Sequence, residues 1–467
     1  MGGSSAGGAG GRGGATSSDG QGGGTTGQQA GFSRCIEDWP TSGGPHLRKP
    51  SLVADVPKLL WRNQDIGGSQ SGDLKDGGPV LSGGRIAFSS GDWVFFLGKN
   101  GSGLQKVKYN ALAAYPSALV ADESGNVYYR TPDGVYSLDA AGNLRWSLGG
   151  GGSGGTGEFA TGIPGVLGPD GVVYFAGSGQ SVSAYRTSDG KVLWSHSEPT
   201  NKNINLVSVV GGGGKAVFAA YDGGYPDTHT SALDTRDGTV LGSFIDPKYG
   251  TSFTWGWSMW LEGWDLGIAC DLYYVFDTCG ALKSQSPLAG SSRSGVIAPG
   301  ELVAMVTDPN ATGRWTQIAL YSTDGTVVVG PAPSEGQPIA AGADGTIYTY
   351  NCRSSTPAFN GILAYSYDLK ELWRFDLGGS ECGGITGNVI LDDDGVMYLT
   401  RVADGDVVEA LAIQTASPGL AESSWPSLRH DNRGTAWLVP GTPDAPASDA
   451  GSMEDTIDAP LPSVVDN

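Results

Sequence analysis

Apolar and polar positions alternate with a period of two through most of this chain, and each short run is cut by a turn containing Gly or Asp. That alternation predicts half-buried β-strands, because a helix would repeat its apolar positions every three or four residues. The clearest stretches are ADESGNVYYRTPDGVYSLDAAGNLRW (121 to 146), GPDGVVYFAGSGQSVSAYRTSDGKVLW (168 to 194), and GADGTIYTY followed by ILAYSYDLKELW (342 to 373). Each opens on a turn ending in Gly, runs through three strands and ends in Trp. The same β-meander is written several times over.

The copies can be followed through the Gly before the first apolar strand: Gly84, Gly125, Gly171, Gly214, Gly267, Gly300, Gly345 and Gly395. Their spacing runs from 33 to 53 residues with a mean of about 44, the length of a four-stranded propeller blade. The pattern predicts an all-β fold: an eight-bladed β-propeller of four-stranded antiparallel blades. Seven blades is the alternative, because the copies at Gly214, Gly267 and Gly300 are degenerate.

Blade geometry explains the phrase. In YRTSDGKVLW, Asp189-Gly190 supplies the tight turn, and Val192 and Trp194 are expected on one face of the outgoing strand. A Trp at the end of that strand can fill the wedge to the next blade. Trp146, Trp194, Trp373 and Trp425 are assigned this structural inter-blade role, with Gly242 and Val328 standing where the pattern decays. The segment PKLLWRNQDIG (57 to 67) reads as an orphan Trp-ending strand. It is expected to close the last blade by pairing near Val396 to Ala412, removing the open edges of the ring.

Composition sets the boundaries. Residues 1 to 33 form a Gly/Ser-rich segment with almost nothing to bury, expected to be a disordered tether; 34 to 439 hold the propeller; 440 to 467 carry six acidic and no basic residues and are expected to be a disordered acidic tail. A net charge of −20 repels a nucleic-acid backbone, so no nucleic-acid partner is expected. No stretch approaches the 20 apolar residues of a membrane-spanning helix. A tether of this kind suits an extracytoplasmic protein of the periplasm, outer membrane or cell surface, with a lipid anchor attached after removal of an N-terminal signal. A monomer is expected.

Candidate chemistry is sparse. His46, His196, His229 and His430 show no metalloprotease or zinc spacing. No catalytic residues and no metal ligands are assigned. The acidic turns LDDDGVMY (391 to 398) and ADESGNVYY (121 to 129) superficially resemble calcium loops, but calcium needs six to eight oxygen ligands, and they read better as hairpin turns. The most suggestive feature is TSFTWGWSMWLEGWD (251 to 265): Trp255, Trp257, Trp260 and Trp264 are the ligand-binding candidates, against the alternative that they fill blade interfaces. Cys270 with Cys279 and Cys352 with Cys382 are disulfide candidates, leaving Cys35 over.

The phrases AYRTSDGKVLW (184 to 194), ALDTRDGTVLG (232 to 242), ALYSTDGTVVV (319 to 329) and SLDAAGNLRW (137 to 146) resemble the repeat of the PQQ-like β-propeller proteins, which share their fold with quinoprotein alcohol dehydrogenases. The resemblance covers about 57 to 437. The element at Trp425 to Thr435, WPSLRHDNRGT, is similar to one that flanks such repeats in exported bacterial proteins, and DWPTSGGPHLRKPS (38 to 51) is a weaker version. The family's enzymes hold the quinone against a disulfide of adjacent cysteines and bind calcium beside a catalytic Asp; this chain has no Cys-Cys pair. The expectation is therefore a non-catalytic binding or scaffold module for a protein or carbohydrate partner, without a cofactor. The enzymatic alternative is a PQQ-dependent dehydrogenase with quinone and calcium. A third reading is an envelope-assembly subunit resembling the propeller lipoprotein of the outer-membrane barrel-assembly machinery.

Overall fold

β-branched and aromatic runs punctuated by Asp-Gly turns become short antiparallel strands, and the pattern repeats until the strands close on themselves. The computed structural model describes residues 57–64, 66, 78–90, 93–108, 119–131, 134–149, 165–168, 171–176, 181–197, 203–210, 216–222, 229–245, 258–261, 264–269, 272–277, 282–287, 291–300, 302–308, 316–322, 326–334, 336–353, 359–379, 389–404, 407–421 and 427; between 203 and 230 (Val217 apart), between 244 and 294, and at 308, 352 and 353 it describes the backbone alone. The described strands form eight four-stranded antiparallel sheets. Seven are consecutive meanders, beginning at Val80, Val120, Val166, Asn203, Ser258, Ser291 and Gln337. The eighth combines Ile390–Leu391, Val396–Ala403 and Val407–Gln414 with the N-terminal strand Lys58–Asn63. That strand runs antiparallel to Val407–Gln414, with Trp61 opposite Ala412, so the closure expected for the orphan strand is present.

First strands of neighbouring sheets lie against one another around the axis; where their burial is described they are buried, whereas the described fourth strands are largely exposed. Apolar clusters fill the wedges between sheets. One joins Val80, Ala87 and Phe96 of the first sheet to Val127 and Tyr129 of the second, and another joins Val296 and Leu320 of the sixth to Ile347 and Leu363 of the seventh. A third brings Phe88 and Phe95 of the first sheet against Tyr398 and Val408 of the eighth, which completes the ring. The fold is an all-β propeller.

Two expectations need correction. Gly267 does not precede a strand: it lies inside the strand Trp264–Ala269, which hairpins into Leu272–Asp277. Residues 267–276 therefore cover parts of two strands. Second, Val192 and Trp194 do not share a face. Trp194 sits opposite Ala184 and Val192 opposite Tyr185, with a bulge between them, so Trp194 turns inward at 8% exposure and Val192 outward at 48%. An inserted residue reverses the alternation beyond it. The same shift recurs before the Trp position in seven sheets. In the sixth it places Val329, not Val328, at that position, opposite Leu320.

Candidate binding surface

The two ends of the ring differ because of where the chain turns. At one end lie the turns from first to second strand and from third to fourth, such as Ser82 to Arg85 and Arg186 to Val192. At the other end lie the second-to-third hairpins and the connections between sheets, which include long ones from Lys108 to Val120, Gly149 to Val166, Ile245 to Ser258 and Asp376 to Ile390. Longer connections give the sequence more room to vary at that end.

Short turns are committed to packing. The indole of Trp146 donates to Thr187 O, that of Trp194 to Thr235 O and that of Trp61 to Lys99 O, each at 2.8 Å. Each acceptor lies in the third-to-fourth turn of the following sheet. Gly190 and Gly238 lie beneath the first two rings, so close that a Cβ there would stand 2.6 and 2.5 Å from the indole. Each ring also meets a tyrosine of its own sheet: Trp146 with Tyr128, Trp194 with Tyr174, Trp373 with Tyr348 and Trp61 with Tyr398. In the eighth sheet the wedge position belongs to Trp61; Trp425, expected from sequence in an inter-blade role, lies outside the described residues.

Acidic turns are likewise spoken for. Asp392 accepts from the amides of Asp394 and Val396, from the Tyr398 hydroxyl and, at 2.8 Å, from Lys99 Nζ of the first sheet. Asp122 accepts from the Asn126 amide and side chain and from Tyr128 at 2.7 Å. These carboxylates serve their own hairpins. Burial, and then the bond to Asp122, push the Tyr128 hydroxyl up to about 12.

At the long-connection end the clearest described constellation is a buried ion cluster. Arg401 and Glu409 face each other across neighbouring strands of the eighth sheet, are 2% and 0% exposed, and form a hydrogen-bonded ion pair. Arg401 also donates to Leu377 O and Gly378 O at 2.9 Å each. From the closing strand, Arg62 donates to Leu377 O at 2.9 Å and approaches Glu409 at 3.8 Å, while Gln64 donates to Glu409 at 3.0 Å. The cluster ties the N-terminal strand, the last hairpin and the connection leaving the seventh sheet. Sequence reasoning passed over it, although one Arg and one Glu inside the apolar strands VMYLTRVA and VVEALAIQ were the available signal.

The sequence-predicted residues are not brought to one place. Trp260 lies in Ser258–Leu261 and Trp264 opens the next strand at the short-turn end, while Trp255 and Trp257 precede Ser258 and lie outside the described residues. Cys352 lies in Ile347–Arg353 with Asn360 as its register partner. Cys35, Cys270, Cys279 and Cys382 lie outside the described residues, as do His46 and His430; Cys270 and Cys279 flank opposite ends of the strand Leu272–Asp277. His196 lies in the fourth strand of the third sheet and His229 opens the third strand of the fourth. No group of metal-ligating side chains is present among the described residues, and no described helix is long and apolar enough to cross a membrane.

The repeat, the wedging indoles and the ring closure define a β-propeller, and over residues 54–245 its repeats are similar to the PQQ-like kind. A family model described as "Outer membrane protein assembly factor BamB" matches residues 54–245. Among solved structures, BamB from Moraxella catarrhalis is similar at a TM-score of 0.54 and 13% identity, over 77% of this chain and 100% of that one. The computationally designed Ika8 protein is similar at 0.52 and 12% identity, over 72% and 96%. At these identities the likeness is one of fold. No curated protein matches the chain.

Proposed function

We propose that this protein is a non-catalytic binding or scaffold module working outside the cytoplasm, and that it engages a protein partner through the end of the ring that carries the long connections. One observation carries the reading: the short-turn end is spent on indole docking and Asp-centred turns, which leaves the opposite end as the place where sequence can vary without loosening the ring. The buried Arg401–Glu409 pair at that end is bonded to backbone and to the closing strand, an arrangement that serves architecture. Trp255 and Trp257, in the connection before Ser258, are the proposed contact residues, and an indole is a common anchor at protein interfaces.

An envelope-assembly role is the form of this reading that the match to the BamB family model favours. Its test is capture of partners from envelope extracts by the full chain and by the Trp255→Ala/Trp257→Ala variant. Loss of a specific partner with the melting temperature unchanged supports the proposal; identical capture by both proteins removes the Trp assignment, and an absence of any partner in the envelope removes the scaffold reading. Intact-mass analysis of the protein from its native cell tests the lipid-anchored tether. An optical spectrum and metal analysis after incubation with quinone and calcium test the enzymatic alternative, which predicts binding of both.

A further inference from the structure

The strand Lys58–Asn63 is the outermost of the eighth sheet and pairs with one neighbour, Val407–Gln414. Consecutive residues of a strand point to opposite faces, and this strand uses both. Trp61, opposite Ala412, faces the first sheet, where its indole bonds Lys99 O. Arg62, opposite Leu411, faces the seventh. There its guanidinium donates at 2.9 Å to Leu377 O, 315 residues along the chain.

Leu377 and Gly378 are the root of the connection from Asp376 to Ile390, at the long-connection end. The Leu377 amide donates to Asn360 O and the Gly378 amide to Asp376 Oδ1, both at 2.8 Å. Leu377 O accepts from Arg62 and Arg401, while Gly378 O accepts from Arg401 at 2.9 Å and from Asn360 at 3.2 Å. Gly378 and Gly379 hold φ values of +73° and +97°, left-handed conformations that suit glycine. A connection needs only to span two sheets. This one has the backbone groups of its first two residues bonded, and three of those bonds come from guanidinium groups, which bind more strongly than neutral donors.

We infer that the N-terminal strand is a latch on the long-connection end: through Arg62, a positioning residue, it sets the root of the connection at Leu377 and Gly378. An outer strand with one neighbour opens at lower cost than the whole ring. When it opens, Arg62 and Gln64 leave Glu409, and Leu377 O loses one of its two charged donors. Glu409 then competes with both carbonyls for Arg401. The consequence for binding rests on the reading of this end as the partner surface: opening of the strand loosens that surface, and by reciprocity a partner bound there slows the opening.

Hydrogen exchange on the full chain tests the latch without a partner, so its failure leaves the proposed binding end standing, and failure of that proposal leaves the latch standing. In Arg62→Ala the amides of Leu377 and Gly378 are expected to exchange on the order of tenfold faster than in the parent, the loss of one charge-assisted bond, with little change in melting temperature and with Ile347–Tyr350 as protected as before. Trp61→Ala opens the strand from the face away from the cluster and is expected to quicken the same two amides, and adding Arg62→Ala to it should quicken them no further. Parent-like exchange at Leu377 and Gly378 in Arg62→Ala overturns the latch. So does parent-like exchange there in a Trp61→Ala protein whose residues 58–63 have lost protection. If Trp61→Ala does not fold, or keeps that strand protected, Arg62→Ala decides alone.

Discussion

The indole of Trp61 lies on Gly101: a Cβ added to that glycine would stand 2.7 Å from the ring. The two residues belong to opposite ends of the circle, Trp61 to the eighth sheet and Gly101 to the turn after the third strand of the first. Their contact, with the bond from the indole to Lys99 O and the ion pair of Lys99 with Asp392, repeats at the seam the joint made within the chain by Trp146 on Gly190.

Removing either half should therefore open the seam. Trp61→Ala deletes the wedge, and core Trp truncations cost about 3–5 kcal/mol. Gly101→Ala meets two penalties, the close indole and a φ of +79° that an alanine rarely adopts. Both variants should melt earlier than the parent, and hydrogen exchange should quicken first in the N-terminal strand. Local protection at 58–63 equal to the parent's in Trp61→Ala would show that the seam is held elsewhere.

The bulge before Trp194 separates two residues that alternation would treat alike. Val192 is exposed, so Val192→Ser should change stability by no more than about 0.5 kcal/mol. Trp194→Ala should cost about 3–5 kcal/mol. Denaturant titration of the two variants decides it, and comparable losses at both positions would contradict the register.

Glu409 is the sole carboxylate in the Arg401–Arg62 cluster among the described contacts. Glu409→Gln keeps the shape and removes the countercharge, leaving Arg401 buried beside backbone carbonyls alone. Breaking a buried pair from one side costs about 3–5 kcal/mol. Arg62→Ala, at the partly exposed rim, should cost far less. Melting temperatures are expected in the order parent, Arg62→Ala, Glu409→Gln.

Strands, turns, the closing strand and the wedge role of Trp146, Trp194 and Trp373 were legible because alternation and Asp-Gly are local signals. What was hidden depends on register or on distant partners. A single bulged residue such as Leu193 leaves no mark in composition, yet it reverses the faces of Val192 and Trp194. The hairpin between Ala269 and Leu272 carries no Gly or Pro, so it looked like continuous strand. Four Trp close in sequence suggested one patch, but the strand Ser258–Leu261 carries the chain to the other end of the ring before Trp264. The bonds from Ser417 and Ala421 to the seventh sheet run to Asp344 and Ala341, which lie far from them in the chain.

Tyr128 gives the ring an alkaline limit. Its hydroxyl donates to Asp122 and accepts from Arg145 at 3.0 Å, and burial and then Asp122 raise its ionisation from 10.0 to about 12. Tyr129, Tyr348 and Tyr398 are raised as well, chiefly by burial. The unfolded chain, whose tyrosines ionise near pH 10, gives up these protons first, so it binds fewer protons than the fold above that pH. Stability from these groups is complete below pH 10 and falls as pH rises toward 12 and beyond. Phenolate absorbance in the folded protein should therefore lag that of the denatured chain, and the melting temperature should fall steeply above pH 10. Tyr128→Phe removes one of the groups that titrate late and should make that fall shallower; an unchanged slope would show that Tyr128 ionises in the fold as it does in the unfolded chain.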